Sequence, residues 1–371
     1  TNSKNRTSNV TGSIPEGSYT SNYSVLQVTQ PLFSLDAWAR WRQGIAQAEF
    51  SDSKFFYNSQ ELLVRVLQTY TDALFAYDQM SFQKAERDAL LEQSKLGQKF
   101  FEKGEGSKTD ALESLAAYEV SEAKLAEATD LFENAKQKLE AITGTPIKDY
   151  SELKPLTYSF KFLPLNPQKY DHWKDSALGK NPEIKAAENQ IEIAKQEHTK
   201  NLAGHAPVLN LIGATSHQQS NTLNTIGTKA NQDYVGIQLT IPIFSGGETN
   251  ARTAQAYSGY QKSKADFDAT RDKVLVELRK QYDALQTGAI KIQALGRSLE
   301  SSSLLVESMK NSIRRGERVN VDLLMAQKNL YNVRKDLAQA KYNYLLSYLK
   351  LYQQAGLLQP ENFQEVAAYF K

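Results

Sequence analysis

Four histidines, three methionines and no cysteine leave little material for metal or thiol chemistry. His172, His198, His205 and His217 match no ligand spacing, so no metal site is expected. Without cysteine there are no disulfides, thiolate ligands or thiol nucleophiles. Three methionines are too few to line a path for a soft metal. The segment Gly104-Glu-Gly-Ser-Lys-Thr109 looks like a phosphate loop, but it lacks the adjacent Gly-Lys pair and a preceding strand. No side-chain nucleophile stands in pattern with a base. These residues point away from an enzyme and away from a bound cofactor.

The informative pattern lies in the elements. Lys and Arg total 44 against 42 for Asp and Glu, and the two signs are interspersed, so nucleic acid is not an expected partner. No run of eighteen apolar residues occurs, which excludes a transmembrane helix but not the alternating strands of a membrane barrel. The stretches 32–145 and 243–359 contain no proline. Proline breaks helices, so these two runs have room for long ones.

Both runs begin alike. Tyr23, Gln27, Thr29, Pro31, Phe33 and Ser34 match Tyr234, Gln238, Thr240, Pro242, Phe244 and Ser245. Further on, Ala39-Arg40 matches Ala251-Arg252, Tyr70 matches Tyr282, and Gly104-Glu105 with Asp110 matches Gly316-Glu317 with Asp322. These later pairs stand 212 residues apart, which marks a tandem duplication.

Each copy opens on a strand with one apolar face. Val235, Ile237, Leu239 and Ile241 alternate with Tyr234, Gly236, Gln238 and Thr240, and Leu26 and Val28 alternate with Gln27 and Thr29. Val208–Thr215 is a further candidate strand, joined to Tyr234 by an expected polar loop. A long helix follows in each copy. Leu278, Leu285, Ile292, Leu299, Val306 and Ile313 recur every seven residues, and Leu323, Leu330, Leu337, Tyr344 and Leu351 continue the rule on the return. In the first copy Leu63, Leu67, Tyr70, Leu74 and Tyr77 show three-four spacing. A helix over 34–101 would run about 100 Å at about 1.5 Å per residue. Turns at Gly104–Thr109 and Gly316–Val321 reverse the chain, with Ser107 and Asp110 at capping-box spacing. The five prolines in Gly144–Pro182 predict an irregular module, followed by a helix over 181–204.

The second copy reads helix, strand, loop, strand, long helix, turn, helix. The first begins at its loop, so its N-terminal helix and first strand are expected to be missing from this sequence. A complete protomer would carry four strands. Four cannot close a barrel in lipid, so the barrel would be shared between chains.

This order resembles the TolC family of outer-membrane efflux and secretion channels. The motifs that carry the resemblance are Ile241-Pro-Ile-Phe-Ser-Gly-Gly, Leu330-Tyr-Asn-Val-Arg-Lys-Asp-Leu-Ala-Gln-Ala-Lys-Tyr-Asn-Tyr-Leu345 and Leu139-Glu-Ala-Ile-Thr-Gly144. It implies a mainly α fold with a membrane β-barrel part: a trimeric twelve-stranded barrel continuous with an α-helical coiled-coil tunnel. Residues 1–33 and 206–244 would supply barrel strands and loops in outer-membrane lipid. Residues 34–143, 181–205 and 245–350 would form the periplasmic helical barrel, and 144–180 with 351–371 an equatorial domain. The implied partners are two further copies, a periplasmic membrane-fusion adaptor and an inner-membrane ABC transporter or other pump. The favoured function is a passive exit duct for type I protein secretion. The alternatives are a multidrug efflux duct with a proton-driven pump and, in another class, a structural coiled-coil tether.

The resemblance also assigns residues. Arg318 matches the family's tip arginine, Asp110 its acidic partner, and Asp322 an acid lining the entrance. Ile313 stands where the family's archetype has a gating tyrosine, and Met325 where it has a second entrance acid. Helix capping is the competing role for Asp110 and Asp322. Gly104, Glu105, Gly316 and Glu317 are expected to contact the adaptor, or simply to make the turns. Phe33, Phe244, Trp38 and Trp41 lie just past the strands and suit an aromatic belt at the membrane interface, or packing at the junction.

Overall fold

A computed structural model describes residues 2–3, 19–104, 106–147, 153–157, 160–165, 168–222, 225–315 and 320–370. The chain divides into two compact units, 1–50 with 187–267 and 51–186 with 268–371.

The first unit holds the strands. A short pair, β1 (Asn2–Ser3) and β2 (Tyr19–Thr20), is antiparallel. A larger antiparallel sheet has the order β3 (Asn22–Phe33), β4 (Val208–Thr222), β5 (Thr225–Thr240). Val28, Gly213 and Val235 stand level across it. Side chains alternate along each strand, so Leu26, Val28, Leu211, Val235, Ile237 and Leu239 share one face, as the alternation predicts. Proline cannot donate to the ladder, and the register slips between Pro31 and Phe33. The slip sets Phe33 level with Leu209 and Leu239, on that same apolar face.

One expectation needs correction here. Residues 216–222 and 225–233 are strand and not loop: the ladder continues through Ser216–Gln232, Gln218–Ala230 and Thr222–Thr225. Ladder bonds come from the backbone and place no demand on side-chain polarity. Alternating hydropathy reports only where one face is apolar, so a strand that is polar on both faces reads as a loop.

The second unit is helical. Among the described residues the α-helices are α1 (Leu35–Glu102), α2 (Lys108–Thr143), α3 (Tyr170–Lys180), α4 (Pro182–Leu202), α5 (Glu248–Arg314), α6 (Asn320–Gln354) and α7 (Pro360–Ala367). Of these, α1, α4 and α5 extend into the first unit. The duplication survives in the lengths: 68 and 36 residues for α1 and α2, 67 and 35 for α5 and α6. It also survives in the opening ion pairs, Arg40–Asp36 at 2.7 Å and Arg252–Glu248 at 2.5 Å.

The seven-residue spacing marks the core. Leu278, Leu285, Ile292 and Val306 are buried, as are Leu330, Leu337, Tyr344 and Leu351. Each fully buried Leu contributes on the order of 2 kcal/mol. In the first copy Leu67 and Leu74 are buried, and Tyr70 packs in the cluster of Leu74.

The module between Gly144 and Pro182 is not wholly irregular. It contains α3, which fits between Pro167 and Pro182 and buries Trp173 completely, its ring 5.0 Å from that of Tyr352. Proline clustering hid this helix because eleven residues need no break. The α4 helix begins one residue later than predicted and ends in a 3-10 turn at Ala203–His205.

Candidate functional site

The site is built at three places, taken in turn from the local sequence: the helix turn, the sheet face, and the junction of the middle module with the helices.

At the turn, α1 ends at Glu102 and Gly104 takes φ +73°, a conformation that favours glycine. Ser107 then caps α2: its hydroxyl accepts the Asp110 N–H at 3.0 Å. Ser107, not Asp110, is therefore the cap. Asp110 lies in the first helical turn and is exposed, where its charge meets the positive end of the helix. In the second copy Asp322 lies in the first turn of α6, half-buried, and Met325 follows three residues on, 68% exposed. Helical spacing brings Asp322 and Met325 to neighbouring positions. Glu105, Gly316, Glu317, Arg318 and the side chain of Ile313 lie outside the described residues.

On the sheet, the apolar face is bare. Val235 is 81% exposed, and Leu26, Val28, Ile237 and Leu239 are also exposed. Among the described residues β3 and β5 each pair on one edge only, with β4. Phe33 closes β3 and Phe244 follows β5, both exposed. Trp38 and Trp41 sit in the first two turns of α1, with the Arg42 guanidinium 5.3 Å from the Trp38 ring centre. No described helix is long and apolar enough to cross a membrane. Among the described residues no group of three His, Asp or Glu is placed to hold a metal.

The third place was not singled out in the sequence. Tyrosines on the long helices hold the proline-rich module. The Tyr70 hydroxyl accepts the Lys154 N–H at 2.8 Å and donates to its carbonyl at 3.1 Å. Its repeat partner Tyr282 donates to the Gln168 carbonyl at 2.7 Å, and Tyr344 donates to that of Leu163 at 3.2 Å. Thr157 donates its N–H to the Tyr369 carbonyl at 2.8 Å, and Leu156 bridges Phe370. The Asn181 side chain caps α4 through the Glu183 and Ile184 N–H groups, and its amide donates to the Gln354 carbonyl at 2.8 Å. The repeated tyrosine was the available signal, since it survives duplication at a position where the core alone would accept leucine.

One carboxyl stands apart. Asp78 on α1 accepts from the buried Tyr342 hydroxyl of α6 at 3.3 Å. Burial pushes the Asp78 carboxyl up to about 6, and the Tyr342 bond offsets only part of that. Burial, then the Asp78 charge, pushes the Tyr342 phenol far up. Burial likewise raises Asp72, with Lys138 and Lys350 opposing.

Comparison with known proteins fits this arrangement. The family described as Outer membrane efflux protein matches residues 1–145 and 173–357. Over 352 residues the chain is 40% identical to the alkaline protease secretion protein AprF of Pseudomonas aeruginosa, covering 95% of this chain and 73% of that protein. It is 32% identical over 356 residues to the proteases secretion protein PrtF of Dickeya chrysanthemi, covering 95% and 76%. The fold matches the crystal structure of the Campylobacter jejuni CmeC outer membrane channel with a TM-score of 0.78 at 18% identity, covering 100% of this chain and 80% of that one.

Proposed function

The chain belongs to the outer membrane efflux protein family, and on that premise we propose that it forms one third of a passive outer-membrane exit duct for type I protein secretion. The observation that carries the duct is the bare apolar sheet face whose two edges, among the described residues, pair with no further strand. Such a face is stable in lipid, and such edges are satisfied by strands of further copies. In this reading residues 1–33 and 206–244 supply the barrel's strands and loops in lipid, with Phe33, Phe244, Trp38 and Trp41 at its boundary. The helices over 34–143, 181–205 and 245–350 line the periplasmic tunnel, and 144–180 with 351–371 form its belt. Support for secretion over drug efflux comes from the two relatives above 30% identity, both named for protease secretion.

The duct draws its energy from an inner-membrane ABC transporter through a periplasmic adaptor. The adaptor meets the turns at Gly104, Glu105, Gly316 and Glu317. Asp110 and Arg318 link neighbouring hairpins in the closed mouth, Asp322 lines it, and Ile313 and Met325 leave it less polar than a fully charged ring.

Two measurements test this. Cells that lack an exit duct but carry a protease, its ABC transporter and an adaptor are given the full-length protein. Protease in the medium supports the secretion reading; drug resistance without secreted protease replaces it with efflux. In planar bilayers the protein gives small discrete conductance steps, and Asp110→Ala or Arg318→Ala raises them. A silent bilayer removes the duct, leaving a tether, and unchanged steps in both variants remove the gate assignment.

A further inference from the structure

The apolar band of the larger sheet stops well short of the sheet's far end. Beyond Val28, Gly213 and Val235, the next row on that face is Leu26, Thr215 and Asp233. Then come Ser24, His217 and Asn231, followed by Asn22, Gln219 and Lys229. These last two rows carry no apolar side chain, yet the backbone ladder runs on through Ser220–Thr228 to Thr222–Thr225. Asn22, Ser24, His217, Lys229 and Asn231 are exposed. On the opposite face the same stretch mixes Ser216, Gln218 and Gln232 with Tyr23, Val25 and Ala230.

Length decides where lipid must end. Toward α5, Val235, Ile237, Leu239, Ile241 and Ile243 alternate along the chain, and all five are exposed. From Val235 to Ile243 is about 27 Å of extended chain at about 3.4 Å per residue. A strand tilt of about 40° makes that a height of about 21 Å, and the row of Leu26 and Asp233 brings it to about 26 Å. Outer-membrane barrels present an apolar band of about 25 Å to lipid, so the band is complete at that row. The ladder from Thr215 to Thr222 is left over, about 24 Å of strand or about 18 Å of height. A lysine on the lipid face costs about 2–4 kcal/mol at the bilayer midplane and about 0–1 near its surface, so Lys229 belongs outside the band.

We infer that the outer lipid boundary lies at the row of Leu26, Thr215 and Asp233, and that the ladder beyond it stands in water as a paired collar around the exit. The inference rests on the duct reading, which puts α1 and α5 on the periplasmic side and so points the β4–β5 hairpin outward. Backbone bonds hold the collar: β4 lies between β3 and β5 as far as Gln219, so its N–H and C=O groups are paired on both sides without any apolar face. A paired wall carries the exit past the lipid surface, where loops of the same composition would not hold an opening.

This chain has no cysteine, so a single introduced cysteine places a fluorescent bimane label at one site of it. The full-length protein is reconstituted into vesicles of phosphatidylethanolamine and phosphatidylglycerol. A label on Val235→Cys, Ile237→Cys or Leu239→Cys should be quenched by brominated acyl chains and barely by iodide in the buffer. A label on Asn231→Cys or Lys229→Cys should be quenched severalfold more by iodide than by the brominated chains. Lipid quenching at 229 and 231 equal to that at 237 overturns the boundary and leaves the duct reading standing. Iodide quenching without lipid quenching at 235, 237 and 239 as well overturns the duct reading itself. If one labelled variant does not assemble, its neighbour on the same side of the boundary decides. In the unlabelled protein, amides 216–219 of β4 should exchange at least about tenfold more slowly than in an unstructured chain. Exchange at the unstructured rate overturns the collar.

Discussion

Replacing Asp78 with asparagine should stabilise the protein at pH 7 and leave it unchanged at pH 4. The carboxyl has as its hydrogen-bond donor, at 3.3 Å, the hydroxyl of Tyr342, itself part of a buried apolar cluster. Burial raises it from 3.8 to about 6. A carboxyl raised by folding holds its proton more tightly in the folded state. Its penalty is absent below about pH 4, grows as pH rises toward about 6, and persists above. A rise of about two units corresponds to about 3 kcal/mol at about 1.36 kcal/mol each. Part of the side chain still reaches water, which reduces this to about 2 kcal/mol. Asparagine removes the charge and keeps an oxygen for the Tyr342 hydroxyl, so the gain should be close to the full penalty. With about 2.1 cal/mol/K of unfolding entropy per residue, the melting temperature at pH 7 should rise by about 3 °C. The assay is thermal unfolding of the detergent-solubilised protein at half-unit steps from pH 4 to 7.5, variant against unmodified. The two curves should meet at pH 4 and separate by pH 6.5. Parallel curves, or a less stable variant at pH 7, would refute the buried-charge reasoning.

Three other substitutions test the scaffold. Gly356 has φ +68° and an added Cβ would lie 2.5 Å from the Lys180 carbonyl carbon, so Gly356→Ala should cost on the order of 3 kcal/mol and lower the yield of folded protein. Tyr70→Phe and Tyr282→Phe each remove a hydroxyl bonded to the middle module, at about 1 kcal/mol apiece, and limited proteolysis should cut between 144 and 170 sooner. Ser107→Ala removes the cap of α2 at about 1 kcal/mol and should speed amide exchange over 108–112 without affecting α5 or α6.

Much of the architecture was legible in the chain. Proline-free runs, the heptads from Leu278 to Val306 and the offset of 212 predicted two matched hairpins, and the helix lengths agree. Helical periodicity is local, so it survives in sequence. The apolar strand face was legible for the same reason, because alternation at Val235, Ile237 and Leu239 is a local pattern. The polar halves of β4 and β5 were not, since nothing in Ser216–Asp233 separates a ladder from a loop until the partner strand is known. Helix α3 was masked by prolines on either side of it.

The tip residues were reached by resemblance to a family; the structure places Asp110 and Asp322 in first turns and gives the cap of α2 to Ser107. What only the tertiary structure decided are properties of pairs distant in sequence. Asp78 becomes a raised acid because the fold buries it, and Tyr342, 264 residues away, donates the hydrogen bond that offsets part of the rise. Tyr70 and Tyr282 become clamps because the middle module folds back to them. Sequence fixes what each element is, through propensity and period. Burial and partnership depend on which elements meet, and those meetings are set by packing across the whole chain.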